Sequence, residues 1–297
     1  METFEPALPL FGRCDEGEEA VVIVTGVDGS EAGVAAARWS ARSAAQRGSA
    51  LRVVHVMPAW ACDPDESGPY AGVARWMRAG AQAVLDEAVT AVREEAPGAV
   101  VSSGRLPGDP RGALIAAAAD AELLVVGNHG IGGFRGALLG SVALGVAGRA
   151  ACPVAVVRDQ AVPPRPELVL GVDDADIGAA PIEFAFAEAA RTGAALIVVH
   201  ATTNDVPAGS PHTAARAVAA ARVRHPAVKV AELDVPGHPV DVLLDAASGA
   251  ECLVVGSRGV GGLTGLLLGS VSHGVLHHAG CPVVVVPTSS GEAQEGR

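Results

Sequence analysis

Short apolar runs alternate with longer alanine-rich stretches along this chain, and the alternation predicts its elements. Residues 20–27 (Ala-Val-Val-Ile-Val-Thr-Gly-Val) form a β-branched run that breaks at Asp28-Gly29-Ser30, which is the mark of a buried strand. Residues 31–46 are rich in alanine with Trp39 on one face, and Gly48 supplies a helix stop. Residues 51–57 read as a second strand. Residues 58–69 read as a loop holding Pro, Gly, Asp and Cys62, and residues 73–95 as a long helix. Residues 100–105 make a third strand, and Gly108-Asp109-Pro110 opens a third helix with proline near its first turn. A fourth strand over 121–126, a helix over 141–149 and a fifth strand over 154–157 complete the set. Strand, helix and strand in this order imply right-handed parallel crossovers. The expected class is α/β, with an open doubly wound parallel sheet.

The pattern then repeats. Residues 26–56 align without a gap on residues 171–201, which pairs Asp28 with Asp173, Gly33 with Gly178, Gly48 with Gly193, and Val53-Val54-His55 with Val198-Val199-His200. Further on, Pro107-Gly108 pairs with Pro236-Gly237, Gly127 with Gly256, and Cys152-Pro153 with Cys281-Pro282. The offset between equivalent residues falls from 145 at Gly26/Gly171 to 129 at Gly127/Gly256, so the second half is 16 residues shorter. The loss falls after the second strand, where residues 202–224 replace residues 58–95. The expected organisation is an N-terminal tail (1–19, Pro, Gly and acids without periodicity), a first domain (20–159), a stiff proline linker (160–166), a second domain (167–287) and a polar C-terminal tail (288–297).

Composition narrows the class. Aromatic residues make up 3% and hydrophobic residues 49%, so the core is built from Val, Leu, Ala and Ile, as in a parallel sheet covered by helices on both faces. A net charge of −12 with Lys229 as the only lysine argues against a nucleic-acid surface. Five cysteines, an odd and widely spaced set without a C-x-x-C, suit unpaired buried thiols in a reducing compartment. The acidic N-terminus does not read as a signal peptide, and no apolar run is long enough to span a bilayer. The expectation is a soluble cytoplasmic protein.

Candidate chemistry lies in two glycine loops, each joining an apolar run to a helix-like segment. The first is Gly127-Asn128-His129-Gly130-Ile131-Gly132-Gly133, continuing to Gly140-Ser141-Val142. The second is Gly256-Ser257-Arg258-Gly259-Val260-Gly261-Gly262, continuing to Gly269-Ser270-Val271. Glycines let backbone approach a ligand, and N–H groups at a helix start favour an anion. A P-loop would need GxxxxGK[ST], and neither loop has a lysine. A dinucleotide fingerprint needs GxGxxG directly after the first strand, whereas these loops follow the fourth and place Arg135 and Thr264 at the last glycine position.

What remains is Gly-x2-Gly-x9-Gly-Ser, twice, with Val27-Asp28 and Val172-Asp173 after the first strands and Cys-Pro-Val before the last. This combination, spanning about residues 20–287, resembles the universal stress protein family in its ATP-binding branch, in the tandem arrangement of actinobacterial members. The resemblance implies two tandem five-stranded parallel sheets of the adenine nucleotide alpha hydrolase type, strand order 3-2-1-4-5, with nucleotide at the carboxyl ends of the strands. It implies that Gly26, Val27 and Asp28 flank adenine and ribose. Gly127 and Gly130 would bring backbone to ribose and phosphates, and Gly140, Ser141 and Val142 would hold the phosphates. The equivalents in the second half are Gly171, Val172, Asp173, Gly256, Gly259, Gly269, Ser270 and Val271. The cofactor so implied is ATP with Mg2+, and the other residues of each loop are counted with the site.

Plainer roles compete. Asp28, Asp173, Ser141 and Ser270 suit helix N-caps. His129 and Arg258 suit solvated loop positions, and His55 and His200 local hydrogen bonds. His273, His277 and His278 lie along one helix without a third placed metal ligand, so no metal site is assigned. Asp174 and Asp176 put extra carboxylates at the second site, which favours the first if one site alone binds. The loops hold no lysine and no evident base, so the expected function is a nucleotide-responsive stress or regulatory protein and not an enzyme, with at most slow ATP hydrolysis. A nucleotide-free interaction module of the same fold is the alternative. The apolar fifth strands, at sheet edges in that topology, predict an internal pseudo-dimer of the two repeats and a homodimer of whole chains. A regulatory protein partner of unknown identity is also expected, with no role for nucleic acid or membrane.

Overall fold

The computed structural model describes residues 21–63, 68–130, 139–158, 164–173, 179–202, 213–257 and 268–288. The first half runs β1 (Val22–Gly26), α1 (Glu31–Arg47), β2 (Ala50–Met57), α2 (Ala59–Cys62), α3 (Ala71–Glu95), β3 (Val101–Pro107), α4 (Pro110–Ala117), β4 (Leu123–Gly127), α5 (Ser141–Ala147) and β5 (Val154–Val157). Local chemistry sets the helix ends. Ser30 caps α1 by accepting from Gly33 N, and Gly48 closes it in the left-handed region at φ 68°. Asp109 caps α4 by accepting from the Arg111 and Gly112 amides, with Pro110 at the first helical position. The short α2 lies in the stretch expected to be loop; four residues carry too little periodicity to be seen in sequence.

The second half repeats the order as β6 (Arg165–Val172), α6 (Ala179–Thr192), β7 (Ala195–Thr202), α7 (Thr213–Arg224), β8 (Val230–Pro236), α8 (Pro239–Ala246), β9 (Ala250–Gly256), α9 (Ser270–His278) and β10 (Val283–Val286). Arg165 and Pro166, expected in the linker, already belong to β6. The shortening is visible in the helices: α3 has 25 residues and its counterpart α7 has 12. Both tails lie outside the described residues, apart from Thr288.

Each half has the expected order 3-2-1-4-5, and the two join into one ten-stranded sheet, β3-β2-β1-β4-β5-β10-β9-β6-β7-β8. Every pairing is parallel except β5 with β10, which is antiparallel with Val283 opposite Val156 and Val285 opposite Val154. The fifth strands therefore satisfy each other as an internal pseudo-dimer. β5 and β10 are thus interior strands of the joined sheet, and its edges are β3 and β8.

Strand alternation divides the core into two layers. Ile23, Leu51, Val53, Leu123 and Val125 face α1 and α3 on one side, continuous with Leu168, Leu170 and Phe186 of the second half. Val24, Val54, Leu124 and Val126 face α4 and α5 on the other, continuous with Val169, Val255 and Leu276. Both layers cross the β5–β10 seam. Arg47, at the end of α1, is buried there: it pairs with Glu122 and with Glu188 of α6, and its guanidinium lies 5.5 Å from the Phe184 ring centre. No helix among the described residues is long and apolar enough to cross a membrane.

Candidate functional site

A cavity of about 500 Å³, within the usual size range of ligand pockets, opens where β1 and β4 diverge at their carboxyl ends. This is the switch point of the first half, where chain order reverses around β1. Gly26, Val27 and Asp28 line it from β1, and Gly127, His129 and Gly130 from the end of β4. Gly140, Ser141 and Val142 line it from the start of α5. Val54 and Val56 of β2 and Pro110 and Leu114 of α4 supply apolar walls that sequence reasoning missed.

The glycines have steric reasons to be glycine. A Cβ on Gly127 would lie 2.7 Å from the backbone carbon of Ala32, so β4 can pass α1 only without a side chain. On Gly26 it would meet Leu114 at 2.9 Å. A Cβ on Gly130 would collide with the Asp28 carboxylate, and one on Gly140 would crowd the Asn128 carbonyl at 3.3 Å. The loop thus brings bare backbone against Asp28 and leaves the space around it open.

Hydrogen bonds hold that geometry. The Ser30 amide donates to Asp28 Oδ1 at 3.1 Å and the Ser30 hydroxyl donates to the same oxygen at 2.6 Å. Ser30 thereby fixes Asp28 while capping α1, so Asp28 is not itself the helix cap that its residue type suggested. Ser141 is likewise the first residue of α5 and not its cap, because Gly140 occupies the cap position. Its side chain is left exposed at the cavity. Asn128 is the exception among the loop residues. It is buried behind the cavity wall, where its amide donates to the Val157 carbonyl at 2.9 Å and its carbonyl accepts from Gly140 N at 2.7 Å. His129 Nδ1 is buried without a hydrogen-bond partner among the described residues, in the cavity lining.

The second half reproduces this frame. Gly171 and Val172 end β6 and Asp173 follows, half-buried. A Cβ on Gly171 would meet Leu243 at 2.9 Å, the mirror of Gly26 and Leu114. Gly256 ends β9, the Ser257 amide donates to Val286 O at 2.8 Å, and Gly269 N donates to Ser257 O at 2.8 Å. Gly269 caps α9, so Ser270 is again its first residue and Val271 its second. Arg258, Gly259, Val260, Gly261 and Gly262 lie outside the described residues, as do Ile131, Gly132 and Gly133 of the first loop and the acidic pair Asp174 and Asp176.

The other candidates have local roles. His55 Nδ1 bonds the Val27 carbonyl at 2.8 Å, and His200 Nδ1 lies 3.0 Å from Asp234 Oδ1. The His273 and His277 rings stand 4.6 Å apart; burial, the two neighbouring histidines and Arg158 all push the His277 pKa down. Arg158 donates to the Leu276 and His277 carbonyls at 2.8 Å each, capping α9 from the first half. Among the described cysteines, Cys62 is half-buried and Cys152, Cys252 and Cys281 are buried, all as free thiols. Burial raises the Cys281 pKa to about 11.

Comparison with known proteins agrees with this architecture. The model of the universal stress protein family matches residues 22–158 and again residues 166–287. A universal stress protein of Mycobacterium tuberculosis strain H37Rv is 35% identical over 296 residues, covering 90% of this chain and 97% of its own. One from Mycolicibacterium smegmatis is 35% identical over 284 residues, covering 89% and 96%. In fold, the chain is similar to the crystal structure of a universal stress protein from Archaeoglobus fulgidus, with a TM-score of 0.71 at 21% identity, covering 92% of this chain and all of that one. Two matched domains, full-length relatives and a glycine-lined switch-point cavity lead to one conclusion: the chain belongs to the universal stress protein family, as a tandem-domain member.

Proposed function

We propose that this protein binds ATP in the cavity of its first half and acts as a nucleotide-responsive stress or regulatory protein of the cytoplasm. The observation that carries the reading is the close fit of Gly130 against Asp28. Backbone there is bare where a side chain would fill the space, and the carboxylate is held in place by Ser30. The group fits the residues present. Apolar walls from Val54, Val56 and Leu114 suit a flat base, and the buried His129 Nδ1 offers a polar contact that the described protein leaves unused. Asp28 would take the ribose, and the backbone of Gly127, Gly130 and Gly140–Val142 the phosphates. Asp28 is the sole carboxylate among the described lining residues, so Mg2+ would be held chiefly by phosphate oxygens and water. Among the described residues the lining has no lysine or arginine to stabilise a transferring phosphoryl group, which favours slow hydrolysis at most.

The test is to denature purified protein, identify and count the released nucleotide, and titrate stripped protein with ATP and Mg2+. Retained or rebound ATP, lost in Gly130→Glu, is the expected result. No nucleotide and no heat of binding would refute it and leave an interaction module of the same fold. That second reading is favoured by one observation, the exposed aromatic surface on α2 and α3.

A further inference from the structure

Toward its C-terminus α9 carries three imidazoles, His273, His277 and His278. The centres of the His273 and His277 rings stand 4.6 Å apart, and those of His277 and His278 6.1 Å apart. The same end of the helix is held from the other half of the molecule. Arg158, the residue after β5, donates from one guanidinium nitrogen to the Leu276 and His277 carbonyls at 2.8 Å each. These carbonyls belong to the last turn, where the helix offers them no partner of its own. The repeat does not account for the arrangement. At the offset of 129 residues, the counterparts of the three histidines are Leu144, Gly148 and Arg149, and that of Arg158 is Pro287. The equivalent helix α5 thus lacks the imidazoles, and the residue that matches Arg158 has no side-chain donor.

We propose that this cluster is an acid-sensitive latch between the halves: neutral imidazoles let Arg158 hold α9 to the first half, and their protonation releases the end of the helix. The C-terminal turn of a helix ordinarily welcomes a cation. Here Arg158 already occupies that place, so each proton taken up by the turn sets a further positive charge against it. The His277 ring shows the balance. Burial, His273, His278 and Arg158, in that order, all push its pKa down. Among the described residues these are the charged groups that act on it, and no carboxylate is among them. The neighbouring α8 carries His238, Asp241 and Asp245, but it meets α9 through Val240 against Gly274. Its Asp241 is exposed and lies 3.9 Å from His238. β10 is all valine, and Cys281 before it stays neutral in acid, since burial raises its thiol to about 11. Asp159, next to Arg158, lies outside the described residues. A ring whose pKa is lowered by folding is protonated first in the unfolded chain. Its contribution to the latch is therefore complete above the ordinary imidazole value of 6.5 and is lost as pH falls through the lower folded one. The inference does not depend on nucleotide.

Hydrogen exchange on the full chain tests this, with EDTA present so that no metal bridges the imidazoles. The Ala279 amide donates to the Val275 carbonyl at 2.8 Å and so reports the end of α9. Corrected for the intrinsic rate, its protection should be lost between about pH 8 and about pH 5, the span over which imidazole charge changes. Amides of α1 should keep theirs. His273→Gln/His277→Gln/His278→Gln should hold the protection at the acid end, and Arg158→Met should lack it throughout, with circular dichroism unchanged. In a ring-proton NMR titration of the parent, which needs no variant to fold, the His277 signal should move at lower pH than free histidine. Protection that is unchanged by pH, kept in Arg158→Met, or lost equally in the triple variant would overturn the proposal. So would a loss shared by α1, which is general acid unfolding. So would a His277 ring that titrates above free histidine, as a carboxylate partner such as Asp159 would make it.

Discussion

At the residue scale, Cys281 gives the clearest physical prediction. It is fully buried, and burial holds its thiol near pKa 11 in the folded protein, against an ordinary value near 9. A raised thiol pKa means that the fold favours the neutral form. The stability it contributes is complete below the ordinary thiol range. It is lost as pH rises from about 9 through about 11, because the unfolded chain ionises first. Cys152 and Cys252 are pushed the same way by burial. The denaturation midpoint should fall between pH 8.5 and 11 by an amount worth about 2–3 kcal/mol from Cys281, and Cys281→Ala should flatten the slope; an equal slope in the variant refutes the assignment. The residue types at the site were legible because the motif occurs twice: a glycine that must be bare in one half must be bare in the other, as Gly26 against Leu114 and Gly171 against Leu243 show. Helix-cap identity was not. Asp28 and Ser141 are good cap residues by type, but Ser30 and Gly140 hold those positions, and a shift of one or two residues at a helix start depends on the entering backbone.

At the scale of elements, α1 couples the fold to the site. Ser30 has two tasks: it accepts from Gly33 N to start the helix, and its amide and hydroxyl hold Asp28 Oδ1. Ser30→Ala should therefore lower stability by about 1 kcal/mol through the lost cap and also weaken ATP binding. Ser30→Asp should restore a cap acceptor but place a second carboxylate against Asp28, so stability returns only in part and binding does not return. Calorimetric titration beside urea denaturation separates the two; binding that follows stability in both variants would show that Ser30 acts on the helix alone. Strands, crossovers and the long α3 could be read from periodicity, since each buries a continuous apolar face. The turn of α2 could not, because its one buried residue, Ala61, leaves no pattern.

At the scale of the whole molecule, the two halves are held by more than the β5–β10 seam that the apolar fifth strands foretold. Arg47 of α1 is buried against Glu188 of α6, a partner 141 residues away, and Arg191 closes on the same carboxylate. Nothing in a linear sequence points to such a pair, and the repeat obscures it, since the counterparts of Arg47 and Glu188 are Thr192 and Ser43. Its meaning follows from burial: the Arg47 side chain is 3% exposed and that of Glu188 8%, so neither charge could return to water if its partner were removed. Glu188→Ala should cost about 3 kcal/mol, the low end for a broken buried pair because Glu122 still holds Arg47. Arg47→Met/Glu188→Leu together should recover most of that loss, because the double change removes both desolvation penalties. Because both core layers run across the seam, each protein should still unfold in a single calorimetric transition. Two resolved transitions in Glu188→Ala, with one in the parent, would show instead that the ion cluster and not the shared core makes the halves fold as one.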